Sequence, residues 1–190
     1  DVSWPRCAVG ATFAAEQGLP PASLTTGSVT ALPFPDNSFD FALTHYVLED
    51  LVGTERRAIA ELVRVAARYV VLVEASYELG SRAQRNKLRM NRMPLGIYPA
   101  IKALGLDLVR YELTPFCAAA THHGALYVIR VGESGTGGKF RGHACPVTGD
   151  PLAEKDGFLF SQDSGYAYPI LRDIPVLLPD SGVLASHLAQ

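Results

Sequence analysis

Two residues stand where an apolar run gives way to polar chain, the usual place for reactive groups. His45 follows the run at residues 39–44 (FDFALT), and Glu74 follows the run at residues 69–73 (YVVLV). An imidazole or a carboxylate at such a position can act as a general base. The other job open to each is to orient a ligand or to satisfy a helix N-terminus. A third group is basic: Arg82, Arg85, Lys87, Arg89 and Arg92 fall in one stretch without an acidic residue. If that stretch is helical, Arg82, Arg85 and Arg89 follow a three-four spacing and share a face. The guanidinium fork matches phosphate or carboxylate with two parallel hydrogen bonds. Such a face serves as a substrate lid, as a solvated surface, or as a contact for RNA or a membrane.

Metal chemistry finds little support. The vicinal pair His122 and His123 cannot easily turn both rings to one ion from extended chain. His143 and Cys145 are close, but no second pair accompanies them. Cys7, Cys117 and Cys145 are far apart and odd in number, which argues for a reducing compartment and against a disulfide framework.

The elements that position these residues follow from periodicity. Ser3 caps a first helix that has Pro5 in its first turn and stops at Gly18. Pro20 and Pro21 restart the chain in extended form, and residues 23–26 make a short strand. The run at 39–44 is a strand bounded by a Pro-Asp-Asn-Ser turn. Residues 54–68 keep helical spacing through Ala58, Ile59, Leu62, Val63 and Ala66. The run at 69–73 suits a strand buried on both faces. Strand, helix and strand at these lengths predict a parallel α/β sheet in three layers. Residues 81–92 follow as a locally basic stretch and 94–104 as a helix, then strands at 107–113 and 125–131. Residues 132–142, rich in glycine and without periodicity, read as a linker. Short strands and turns fill 145–180.

Composition sets bounds. With 190 residues, 48% of them hydrophobic, the chain has enough apolar material for a core and a second small domain. The net charge, 17 − 19 = −2, gives no general attraction to DNA. No apolar run approaches the roughly 20 residues that span a bilayer, and no signal peptide opens the chain. A cytoplasmic location is expected. Oligomeric state is not legible.

The segment Leu32-Pro33-Phe34-Pro35-Asp36-Asn37-Ser38-Phe39-Asp40, with Val47-Leu48-Glu49-Asp50-Leu51 after the strand, resembles the signature of class I methyltransferases that use S-adenosylmethionine. Asp50 stands where that family often has histidine. The resemblance implies a Rossmann-like α/β sheet over residues 1–131, with the cofactor at the carboxyl ends of parallel strands. It implies that Asp1 takes the ribose hydroxyls, that Ser28 or the Val29 N–H meets the adenine in place of the family's usual aspartate, and that Thr44 and His45 line the cofactor pocket. The family's first strand and glycine-rich loop have no counterpart, and there is no starting methionine. A longer natural protein is therefore expected, with weak cofactor binding by the chain as it stands. The segments Glu74-Ala75-Ser76-Tyr77-Glu78-Leu79-Gly80, Arg110-Tyr111-Glu112-Leu113 and Ala125-Leu126-Tyr127-Val128-Ile129-Arg130 are similar to a subgroup of the same family.

The tail, residues 143–190, resembles the small zinc-ribbon-like domain of methyltransferase activator subunits, through Cys145-Pro146-Val147-Thr148-Gly149 and the run from Tyr168 to Leu178. That domain carries two Cys-x-x-Cys pairs. Here the four positions are Cys145, Thr148, Ser161 and Ser164, which do not make a structural zinc site. A β-rich domain without zinc is expected. The implied function is methyl transfer to a small or lipid-linked, anionic acceptor, with Glu74 and His45 as candidate bases and Arg82, Arg85 and Arg89 on the acceptor. The alternatives are an inactive methyltransferase-like scaffold that binds a partner, and an RNA or protein methyltransferase.

Overall fold

The computed structural model describes residues 1–19, 23–93, 95–115, 123–132 and 137–185. The expectations placed on Pro20, Pro21, Pro94, Cys117 and His122 lie outside these. In chain order the elements are α1 (Trp4–Glu16), β1 (Thr26–Gly27), β2 (Phe39–His45), α2 (Glu55–Val65), β3 (Ala66–Ala75), α3 (Arg82–Met90), α4 (Ile97–Ala103), β4 (Asp107–Leu113) and β5 (Gly124–Arg130). Then come β6 (Ala153–Lys155), β7 (Phe158–Phe160), β8 (Tyr166–Leu171), β9 (Ile174–Leu177) and β10 (Val183–Leu184).

These elements form two compact units, one of residues 36–140 and one that joins residues 1–35 to 141–190. The second grouping cuts across the division 1–131, 132–142 and 143–190 read along the sequence. Its cause is visible in β1. That strand does not extend the sheet of β2; it pairs in parallel with β9, Thr26 opposite Val176 and Gly27 opposite Leu177. The sheet order is β1-β9-β8-β7-β6, with β10 on β8. Helix α1 lies on the same sheet, where the Trp4 indole donates to the Leu171 carbonyl at 3.2 Å. Its N-cap is Ser3, as its sequence predicts. Farther along, Thr25 Oγ1 meets His143 Nε2 at 3.2 Å, and the Ala144 N–H donates to the Pro33 carbonyl at 2.9 Å. Cys145, Leu152, Leu159, Tyr168 and Leu177 make the core.

The unit of residues 36–140 is a four-stranded sheet in the order β2-β3-β5-β4. Strands β2 and β3 are parallel, and β5 and β4 run antiparallel to their neighbours. Parallel β2 and β3 need a crossover, which α2 supplies. Its buried residues Ala58, Ile59, Leu62 and Val65 recur at helical spacing and cover the sheet face that bears Ala42, Thr44, Val70 and Leu72. On the opposite face of β2, Phe41 and Leu43 are 55% and 67% exposed, so the third layer expected from the alternation of elements does not cover them.

The glycine-rich stretch after β5 is not a free tether where it is described. The Gly138 N–H donates to Asp40 Oδ1 at 3.1 Å, and the Lys139 N–H to the Asn37 carbonyl at 3.1 Å. A Cβ on Gly138 would stand 2.1 Å from the Phe39 carbonyl carbon, so only glycine allows this approach.

Candidate functional site

The carboxyl ends of parallel strands are where an α/β sheet presents its ligands. In the unit of residues 36–140 that end collects Thr44, His45 and Tyr46 after β2, Glu74, Ala75 and Ser76 after β3, and Gly124 at the start of antiparallel β5. His45 is exposed and meets the Tyr46 ring edge-on, with centroids 4.8 Å apart. Tyr46 has a φ of 52°, a left-handed conformation that costs a bulky side chain on the order of 1 kcal/mol or more. Its hydroxyl lies over Gly124, where a Cβ would stand 2.7 Å away.

Glu74 holds this strained turn. Its carboxylate is fully buried and accepts the N–H of Val47 on Oε1 at 3.1 Å and that of Leu48 on Oε2 at 3.2 Å. These two N–H groups open the 3-10 turn Leu48–Asp50, so the glutamate satisfies donors that the turn itself leaves unpaired. Burial pushes the Glu74 carboxyl above its ordinary range; the Thr44 hydroxyl and the two N–H groups partly offset this. Thr44 Oγ1 is buried against the carboxyl without a hydrogen bond of ordinary geometry.

Helix α3 begins just beyond β3, capped by Ser81, whose side chain accepts the Gln84 N–H at 3.1 Å. Gln84, fully buried, ties the helix to the sheet end. Its Nε2 donates to the carbonyls of Ser76 and His123, and its Oε1 accepts the His123 N–H. Arg82, Arg85 and Arg89 fall within about 60° of one another around the helix; Arg82 and Arg89 are exposed, and Arg85, about 60° from the buried Leu88, is half-buried. The Arg89 guanidinium lies over the Tyr77 ring, 5.0 Å from its centroid.

A polar cluster that sequence reasoning missed adjoins this helix. Ser76 Oγ and Tyr111 Oη are 2.7 Å apart, and both reach Glu78 Oε2, at 3.4 and 3.3 Å. Tyr111 stacks between Tyr98 and Tyr127, with centroid distances of 4.9 and 4.7 Å. The alternation along β4 and β5 marks Tyr111 and Tyr127 as one face, but only their register sets them opposite each other.

The other candidates lie in the unit of residues 1–35 and 141–190. Asp1 lines a cavity of about 370 Å³ with Arg6, Cys7, Ser23, Thr25 and Phe34. Its Oδ1 accepts the Ser3 N–H at 2.8 Å. Ser28 turns its hydroxyl to Thr30 Oγ1 at 2.9 Å and, with Val29, forms the turn after β1. Cys145 is buried with its Sγ 3.3 Å from Tyr168 Oη. Burial alone would raise its thiol; the hydroxyls of Thr148 and Tyr168 and the N–H groups of Thr148 and Val147 outweigh burial and hold it below the usual range. One thiol with Thr148, Ser161 and Ser164 is not a zinc ligand set. No group of three or more His, Cys, Asp or Glu side chains is gathered for a metal among the described residues. No described helix is long and apolar enough to cross a membrane.

Comparison with known proteins agrees with this geometry. Residues 1–73 match the model of a family described as a methyltransferase domain. A S-adenosylmethionine-dependent methyltransferase of Methanosarcina mazei is similar in fold, with a TM-score of 0.56 at 16% identity, over 68% of this chain and 79% of that one. A proposed sarcosine dimethylglycine methyltransferase of Galdieria sulphuraria has a TM-score of 0.53 at 14% identity, over 70% and 68% of the two chains. No curated protein matches. At these identities the solved structures speak for the fold, and the family match speaks for residues 1–73. Together they show that residues 1–73 are similar to a methyltransferase domain and that the chain shares its fold with these two solved proteins.

Proposed function

We propose that this protein transfers the methyl group of S-adenosylmethionine to a small or lipid-linked acceptor bearing an anionic group, with Arg82, Arg85 and Arg89 on that group. The observation that carries this is the seating of α3. Gln84 fastens the helix to the carboxyl end of β3, and its three arginines lie within about 60° of one another around it. A guanidinium cluster rigidly placed beside the ligand-bearing end of a sheet suits a phosphate or carboxylate. Exposed pairs of this kind contribute little each, so the acceptor's affinity depends on all three acting together.

For the cofactor, S-adenosylmethionine supplies the methyl group when bound. In one unit the Asp1 carboxylate, at its cavity, suits ribose hydroxyls, and Ser28 and the Val29 N–H suit the adenine edge. In the unit of residues 36–140, His45 is exposed at the end of β2, whereas the Thr44 hydroxyl is buried against Glu74. His45 is also the better base: it is exposed, whereas both Glu74 oxygens are engaged by backbone. Glu74 then acts by positioning the turn that carries His45 and Tyr46.

The test is a methylation screen of phosphomonoesters, carboxylates and neutral alcohols or amines with labelled cofactor. The protein is compared with its Arg82→Gln, Arg85→Gln, Arg89→Gln triple variant. Loss of turnover on anionic acceptors is expected. Unchanged turnover on every acceptor found would leave α3 as a solvated surface.

A further inference from the structure

We propose that Glu78, oriented by Ser76 and Tyr111, is a binding residue for a protonated amine, so that the acceptor carries an amine near its anionic group. This deepens the reading above, and its anionic half rests on that reading. The amine half stands on separate residues.

Glu78 is an exposed carboxylate, yet it is not left to wander. The Tyr111 hydroxyl donates to its Oε2 at 3.3 Å, and Ser76 Oγ, 2.7 Å from Tyr111 Oη, lies 3.4 Å from the same oxygen. Ser76 is itself buried and held, since its Oγ accepts the Leu79 N–H at 3.1 Å. Oε1 has no partner among the described residues, and no cation there neutralises the charge. Orienting hydroxyls fix the direction of a carboxylate without cancelling it, which is the arrangement a cationic ligand needs. Tyr111 is itself held above the ordinary phenol range, chiefly by burial, so it stays a donor to Glu78.

The surroundings suit a cation too. Tyr98, Tyr111 and Tyr127 form a ladder of stacked rings beside the carboxylate, and the outermost, Tyr98, is only partly covered. Aromatic faces attract cations. At the inner end, Tyr127 Oη is fully buried against Ser76 and Tyr111 without a hydrogen bond of ordinary geometry.

The two halves meet through one residue. Arg89 packs on Tyr77, the neighbour of Glu78, so the arginine face of α3 reaches the turn that carries the carboxylate.

The probes are ethanolamine, ethylene glycol and inorganic phosphate, titrated into the whole chain with ¹³C-labelled tyrosine rings. Ethanolamine is expected to shift the Tyr98 and Tyr111 signals saturably, and ethylene glycol is not. Glu78→Gln should weaken the ethanolamine response about tenfold or more, as loss of a hydrogen bond to a charged group implies. Tyr111→Phe should weaken it less, with the thermal midpoint used to verify folding. The triple arginine variant should keep the ethanolamine response and lose the phosphate one. No saturable shift with ethanolamine, an equal shift with ethylene glycol, or an unchanged response in Glu78→Gln overturns the proposal. If phosphate binding survives the arginine changes while ethanolamine still needs Glu78, the arginine reading fails and this one stands.

Discussion

Glu74 and Leu48, 26 residues apart in the chain, are joined by a hydrogen bond of 3.2 Å from the Leu48 N–H to the buried carboxylate. With the matching bond from Val47, it closes the turn that ends β2 and holds Tyr46 in its left-handed conformation. The relationship decides how a change at this glutamate will be felt.

Replacing Glu74 by glutamine leaves one acceptor for two N–H donors and turns an amide NH₂ toward the other. A cost of about 1–3 kcal/mol in urea denaturation is expected. The pH dependence has a definite sign. Burial raises the folded-state pKa, so the folded protein binds the proton more tightly than the unfolded chain does. The Glu74 contribution is therefore full below the ordinary carboxylate value and falls as pH rises toward the raised one. Glu74→Gln should remove that slope. Parallel stability curves for the two proteins would mean that Glu74 does not titrate differently on folding.

Gly124 and Tyr46 should couple. Gly124→Ala puts a methyl 2.7 Å from the Tyr46 hydroxyl, a crowding expected to cost about 1–3 kcal/mol. Tyr46→Phe removes the oxygen and should recover part of that loss. A double-mutant cycle that shows simple additivity would place the two side chains apart in solution.

Gly138 separates close approach from conformational freedom. Gly138→Ala drives a methyl into the Phe39 backbone, whereas Gly149, with φ at 82°, faces open space. Gly149→Ala should cost about 1 kcal/mol, the price of a left-handed alanine. Gly138→Ala should cost more, unless residues 137–140 leave β2. Equal thermal midpoints for the two variants would show that they do.

Asp1→Ala should weaken binding of S-adenosylhomocysteine about 10- to 100-fold in calorimetry, because a ribose hydroxyl loses a charged acceptor worth roughly 1.5–3 kcal/mol. Equal affinity of both forms would remove Asp1 from the cofactor's contacts.

Much of this molecule is written in local pattern. The strand at 107–113 is found with the same bounds, and the cap at Ser3, the helix over Ile97–Ala103 and the strands around 39–45 and 66–75 follow within a few residues. Alternation and 3.6-residue spacing depend on neighbours along the chain, so they can be read without a fold. The pairing of strands cannot. The sequence allows Thr26 and Gly27 to be a strand, but an open edge at β9, about 150 residues later, decides which sheet they join. Glu74 likewise stands out as a carboxylate at the end of an apolar run. Whether it faces a ligand or the backbone N–H groups of Val47 and Leu48 depends on where the next turn lies. The Ser76–Tyr111–Glu78 contact is invisible along the chain because it needs β4, β5 and the β3 turn in register. The chemical types of the site residues were set by the sequence alone. Their partners, and so their charge and freedom, were decided only when distant strands met, because hydrogen bonding and burial depend on distance in space.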